Sequence, residues 1–328
     1  MLNRRALTLG AMTATTALLP HASRAQSDYP NKALRLVVPF PAGGATDVVA
    51  RQYAQALGLQ LGREVVVENK AGASGAIGTA DVARSRPDGY SLIFGTATTH
   101  ALHNVVAKVQ LYDAVKDFTP IGLIGAAPLV FVANARLPGD LRSILAQAKA
   151  NPGTMSYGSP GQGTFMHLAA ERLKQAADGA MITHVPYRGS GPAMNDLLGG
   201  HIALMVDTVA TALPQHRSGS VRILAIASEQ RSPLAPEIPT IDEAMGMTGF
   251  AAALWNVVAV PAGTPPEIVE RLNAATLRIV ADPAFIAKMS ELGVEAARPA
   301  SPSQARDYII AEQARWKPVM EKAGIVAE

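Results

Sequence analysis

The 328-residue chain contains no cysteine, which removes disulfides, thiolate nucleophiles and Cys-based metal sites from consideration. Its stability has to come from packing. Aromatic residues make up only 5% of the chain and are nowhere interleaved with a cluster of lysines and arginines, so no footprint for a nucleic-acid backbone is present. The formal net charge of +3 does not change this. Arg4, Arg5 and Arg24 sit in the first 25 residues, which hold no acid, and the rest of the chain balances 26 basic against 26 acidic residues. Basicity is a property of the N-terminus alone. Low-complexity tracts and long linkers are also missing. What is left is a chain of globular composition, 48% hydrophobic, long enough for one large core or two.

Residues 1–25 have the pattern of an export signal: Arg4 and Arg5 start it, Ala6 to Leu19 form the apolar part, and small residues follow. Ser23 and Ala25 fall at positions −3 and −1 of a cleavage before Gln26. The apolar part is rich in threonine and shorter than the ~20 residues that span a bilayer. A periplasmic location is expected, by the general secretory or the twin-arginine route.

From Ser27 onward, strand-like apolar runs alternate with helical patterns: "ALRLVVPF", "DVVARQYAQALGLQL", "EVVVEN", "GTADVARSR", "SLIFGT", and so on to "NVVAVP". This alternation predicts an α/β fold with mainly parallel sheet flanked by helices. Helical patterns dominate from Pro266. One device occurs twice: a strand, a Gly-rich turn and a helix start, at Pro41 to Thr46 and again at Pro160 to Thr164. Glycine lets the backbone bring N–H groups toward a ligand, and a helix N-terminus offers unpaired donors and partial positive charge. Residues 72–83 and 185–198 supply two more such connections. Ordinary βα connections also use glycine and a capping residue, but four together point to an anion site at the carboxyl ends of the strands, in a cleft between two lobes.

Enzyme readings fare poorly. Ser159, His167 and Asp207 can be assembled into a hydrolase triad on paper, but Tyr157 stands where a G-x-S-x-G elbow needs glycine. Neither Gly-rich turn is a dinucleotide fingerprint, since Met166 replaces the last glycine of the second. His100 and His103 lack the companions of a zinc motif and are expected on a surface segment. No cofactor and no metal are expected.

The stretches "VVPFPAGGATDVVAR", "VENKAGASGAIGT", "RPDGYSLIFGT", "SYGSPGQGTFMHLAAERL", "HVPYRGSGPAMNDLLGGHI" and "VAVPAGTPPEIVERLN", in this order, resemble the extracytoplasmic receptors of tripartite tricarboxylate transporters, the Bug-type binding proteins. The resemblance implies a two-lobed, type II-like Venus flytrap. Its lobes would be residues 28–125 with 254–328, and residues 126–253, with crossings near 122–130 and 249–258. It also implies a small carboxylate ligand, membrane transporter subunits as partners, and a monomer that is not an enzyme. A di- or tricarboxylate, an acidic amino acid or an aromatic carboxylate all suit such a site. A ligand sensor for a membrane kinase is the alternative role.

Matched position by position, the site falls in the first lobe on Phe40, Gly43, Gly44, Ala45, Thr46 and Asp47, on Ala73 and Ser74, and on Thr96 and Thr98. Asp47 is the better helix cap than anion contact. A frequent family asparagine is replaced by Ala76. The second lobe gives Ser159, Gly163, Thr164 and His167, then Tyr187, Arg188 and Gly189. Asp207 falls where the resemblance implies a carboxylate facing an amine or hydroxyl of the ligand.

Overall fold

The computed structural model describes residues 29–325, and the expected export signal lies outside the described residues. Strands β1 (Leu34–Val38), β2 (Val65–Asn69) and β3 (Ser91–Thr96) are joined by helices α1 (Ala45–Leu61) and α2 (Ala76–Ala83). They pair in parallel, β1 in the middle. Alternate residues of β1 go to opposite faces: Leu34, Leu36 and Val38 pack with Val49, Tyr53 and Leu57 of α1, while Val37 packs with Ala76 and Ala80 of α2. A strand covered on both faces reads as a largely apolar run, and in β1 only Arg35 interrupts it, its guanidinium paired with Glu68 and Asp81.

A π-helical turn, Thr98–Leu102, and the short α3 (His103–Val106) lead to β4 (Phe118–Asn134), the longest strand. β4 pairs antiparallel with β9 (Ala253–Pro261) up to Pro128. From Leu129 it pairs instead with β7 (Leu204–Thr208) and β8 (Val221–Ile226). The second set of parallel strands, β6 (Thr183–Pro186), β5 (Ser156–Ser159) and β7, continues from there. The resulting order is β2-β1-β3-β9-β4-β7-β5-β6, with β8 and the two-residue β10 (Glu295–Ala296) also on β4. The protein is thus a two-lobed α/β structure in which one strand serves both sheets. Parallel pairing holds in the outer strands, and the strands that link the lobes are antiparallel.

Helices α4 (Leu141–Ala150), α5 (Phe165–Ala176), α6 (Ser190–Gly199), α7 (Val209–Arg217) and α8 (Ile241–Met245) surround the second sheet. Helices α9 (Pro266–Ala281), α10 (Pro283–Glu291) and α11 (Pro302–Ala323) close the chain. α11 reaches across to the second lobe, where Phe165 of α5 stands edge-on to Trp316 with centroids 4.8 Å apart. The return segment before β9 is irregular, and its carbonyls need partners. Arg172 of α5 donates to Gly249 O at 2.7 Å and Ala251 O at 3.1 Å, and Arg315 of α11 donates to Ala251 O at 2.7 Å.

Candidate functional site

The connections that follow β1, β2, β3, β5 and β6 meet between the lobes. Ser74 donates its hydroxyl to Gln162 O at 2.6 Å, and the Phe165 amide donates to Thr98 Oγ1 at 3.1 Å. A Cβ placed on Gly189 would lie 3.8 Å from Pro41 Cγ. The two hydrogen bonds tie turns at the ends of the first set of strands to turns at the ends of the second.

The first turn is open to solvent at Gly43, which has φ +79°, and the N-cap of α1 is Gly44 without a side-chain hydrogen bond. Among the described residues the amides of Ala45 and Thr46 have no acceptor and the Thr46 hydroxyl no partner, although Thr46 is only 7% exposed. The turn is held from behind. Asp47 accepts from Gly43 N at 2.9 Å and Arg51 Nε at 3.0 Å on one oxygen, and from Asn69 Nδ2 at 2.9 Å on the other. Burial opposes ionisation of Asp47, but the hydrogen bonds from Arg51, Gly43 and Asn69 outweigh it and hold the carboxyl below its usual value. Its oxygens are therefore committed to the scaffold. Phe40 lies behind the next turn: at Gly75, with φ +95°, a Cβ would come within 3.1 Å of Phe40 Cζ and 2.7 Å of Thr99 Cγ2, so only glycine fits. Ala73 and Ser74 are themselves left-handed, at φ 45° and 51°, which turns the Ser74 hydroxyl toward the second lobe.

In the second lobe Thr164 is the N-cap of α5, accepting from His167 N and donating to Gly161 O at 2.8 Å. Gly163 N donates to His167 Nδ1 at 3.1 Å, which leaves the ring proton on Nε2. The His167 ring stacks on His184 at 3.8 Å, and His184 stacks on Tyr157 at 4.9 Å. Burial, helped by Lys174, lowers the His167 pKa to about 4. Burial and then His167 lower that of His184 to about 3. Both imidazoles are neutral at neutral pH, so they support the turn without giving it charge. Ser159 is fully buried with Oγ 2.7 Å from His184 Nε2, so its ring partner is His184 rather than His167. Sequence reasoning missed His184; its signal is its place on β6 opposite Tyr157.

Tyr187 sends its hydroxyl to Asp196 at 2.7 Å, away from the lobe contact, and its amide to Ser159 O. Gly189 donates to Pro160 O. Arg188 is exposed and forms no ion pair among the described residues. Asp207, at the end of β7, is fully buried. One oxygen accepts from Thr208 N at 2.7 Å and Oδ2 has no hydrogen bond, although the Ser190 and Thr211 hydroxyls face the group. Burial pushes its pKa up to about 6 against these donors. Thr96 is also buried, with Oγ1 unpartnered. His100 and His103 are not on the surface as expected: they are 0% and 7% exposed, packed against Phe118 and Tyr112 because the π-helical turn folds back over Gly95.

The geometry gathers backbone donors and hydroxyls, with the exposed Arg188 on the turn after β6. The family model described as the tripartite tricarboxylate transporter family receptor matches residues 49–325. The chain belongs to this receptor family. Receptors of this family are periplasmic solute-binding proteins rather than enzymes. Protein BugT of Bordetella pertussis is 38% identical over 298 residues, 90% of each chain. A protein of R. palustris solved with adipate is 36% identical, with TM-score 0.86 over 91% of this chain and 99% of its own. MatC from Rhodopseudomonas palustris, solved with bound malate, is 32% identical, with TM-score 0.82 over 89% of this chain and 99% of its own. Among the described residues of this receptor no helix is long and apolar enough to cross a membrane.

Proposed function

We propose that this receptor captures a small aliphatic dicarboxylate between its lobes and delivers it to membrane transporter subunits after export. The observation that carries the reading is the first turn of α1. Its Ala45 and Thr46 amides and Thr46 hydroxyl have no partner among the described residues, while the nearby acid, Asp47, is turned to three donors and its charge is offset by Arg51. Adipate and malate in the structures of two relatives support the same ligand class. The lobes of the proposal are residues 28–125 with 254–328, and residues 126–253; the change of partners along β4 at Leu129 supports this division. Asp207 supplies an acceptor for a ligand hydroxyl or ammonium, which favours a hydroxy acid or an amino acid over a plain diacid.

A thermal-shift panel of carboxylates, amino acids and neutral sugars tests the reading. Saturating carboxylate at a hundredfold excess over Kd stabilises by about 2.7 kcal/mol, a readily visible shift. Thr46→Val is expected to lower affinity about tenfold, by loss of one hydrogen bond to a charged group, with little change in the unliganded melting temperature. Shifts with sugars alone, or unchanged affinity in Thr46→Val, contradict the placement.

A further inference from the structure

Among the described residues, five buried side-chain atoms have no hydrogen-bond partner: Thr96 Oγ1, His100 Nε2, His103 Nε2, Asp207 Oδ2 and Asn256 Nδ2. Two of them face each other. Thr96 and Asn256 form the last pair of the antiparallel β3–β9 ladder, and they are 0% and 3% exposed. Two residues back along each strand, on the same face, the pair Phe94 and Val258 belongs to the core beneath α1. The Thr96–Asn256 pair therefore continues that face to the C-terminal end of β3, where both side chains remain buried. Immediately after Thr96 the chain enters the turn whose Thr98 hydroxyl meets the Phe165 amide of the second lobe. The far flank of Asn256 is closed: it lies opposite Gly125 of β4, where a Cβ would come within 2.8 Å of Glu295 O and Val294 Cγ1.

A buried amide donor and a buried hydroxyl side by side, both unpaired, are costly in a core, and an all-apolar pair would serve the strand ladder better. Their retention at the lobe junction calls for an acceptor from outside the chain. We propose that Asn256, together with Thr96, forms the floor of the carboxylate site and fixes ligand choice by donating from Nδ2 and Oγ1 to an acid oxygen. This rests on the carboxylate reading and deepens it. Asn256 adds a site residue from the return crossing, a part of the chain that otherwise contributes none. Its position opposite the last residue of β3 also gives it a measuring role. An acid held at α1 and a second acid reaching this floor set the chain length that fits.

The test uses the full chain and two variants, Asn256→Leu and Thr96→Val, each close in shape to the residue replaced. Unliganded melting temperature is measured first, then affinity by calorimetry with succinate, malate and adipate. Unliganded stability is expected to equal or exceed that of the wild type, because an orphan polar group has been removed from a buried position. Affinity for the best-bound diacid is expected to fall about tenfold or more, and the rank order of the three diacids to change in Asn256→Leu. A fall in unliganded melting temperature beyond roughly 5 °C in both variants overturns the inference, since the two groups are then structural. So does an affinity within twofold of wild type for both. If the wild type binds none of the three, the carboxylate reading itself fails and takes the inference with it, an outcome the wild-type control separates from the others.

Discussion

Replacing Asp47 with alanine is expected to lower stability by about 2–4 kcal/mol and to remove measurable carboxylate binding. The carboxylate is almost wholly buried and accepts from Gly43 N, Arg51 Nε and Asn69 Nδ2, so the substitution strands a backbone amide and a side-chain amide. The Gly43 bond is what keeps the open turn before α1 in place, and the ligand donors Ala45 and Thr46 follow it directly. Arg51 is the contrast. Its side chain is 50% exposed, so Arg51→Ala is expected to cost under about 1 kcal/mol although it breaks the same ion pair. Urea unfolding read beside calorimetric titration separates the two. A loss below about 1 kcal/mol in Asp47→Ala would mean that the turn is held by something else.

Asp207→Asn is expected to do the opposite to stability. In the folded protein burial raises the Asp207 pKa from 3.8 to about 6, so between these values the folded state binds more protons than the unfolded one. The stability this gives is fully present below about pH 4 and is lost as pH rises through about 6, roughly 3 kcal/mol for a shift of two pKa units. Asparagine does not titrate. The unliganded variant should therefore be more stable than the wild type at pH 7, by up to that amount, and the difference should vanish below pH 4. Affinity for a ligand that donates to Oδ2 should fall in the variant at the same time. Parallel pH profiles for the two proteins would show that Asp207 is not held as a costly buried acid.

The fold was legible because its inner strands are largely buried and its helices are buried on one face. "LRLVV" and "VRILAI" read as strands without tertiary information, and "DVVARQYAQALGLQL" reads as a helix between two of them. β10 was not legible: Glu295 and Ala296 carry no apolar run, and they pair only because Gly125 of β4 leaves them room. The site was legible as turns and less so as atoms. Thr46 was expected as part of a helix start, but Gly44 takes the cap position and frees the Thr46 hydroxyl, whereas Thr164 at the matching turn does act as the cap. His184 and Asn256 escaped because both sit inside strands. What marks the first is its parallel register with Tyr157, and what marks the second is an unpaired amide, neither of which a local pattern records. His100 and His103 misled in the other direction, since two histidines in a polar stretch gave no sign of the π-helical turn that buries them.

The central claim is that a cleft of backbone and hydroxyl donors recognises carboxylate charge, and calorimetric titration with adipate and with its uncharged diamide tests it most directly. The account predicts saturable binding of adipate and binding of the diamide weaker by about a hundredfold or more, because two charge-assisted sets of hydrogen bonds are lost. Equal affinity for the two, or binding of the diamide alone, would contradict it.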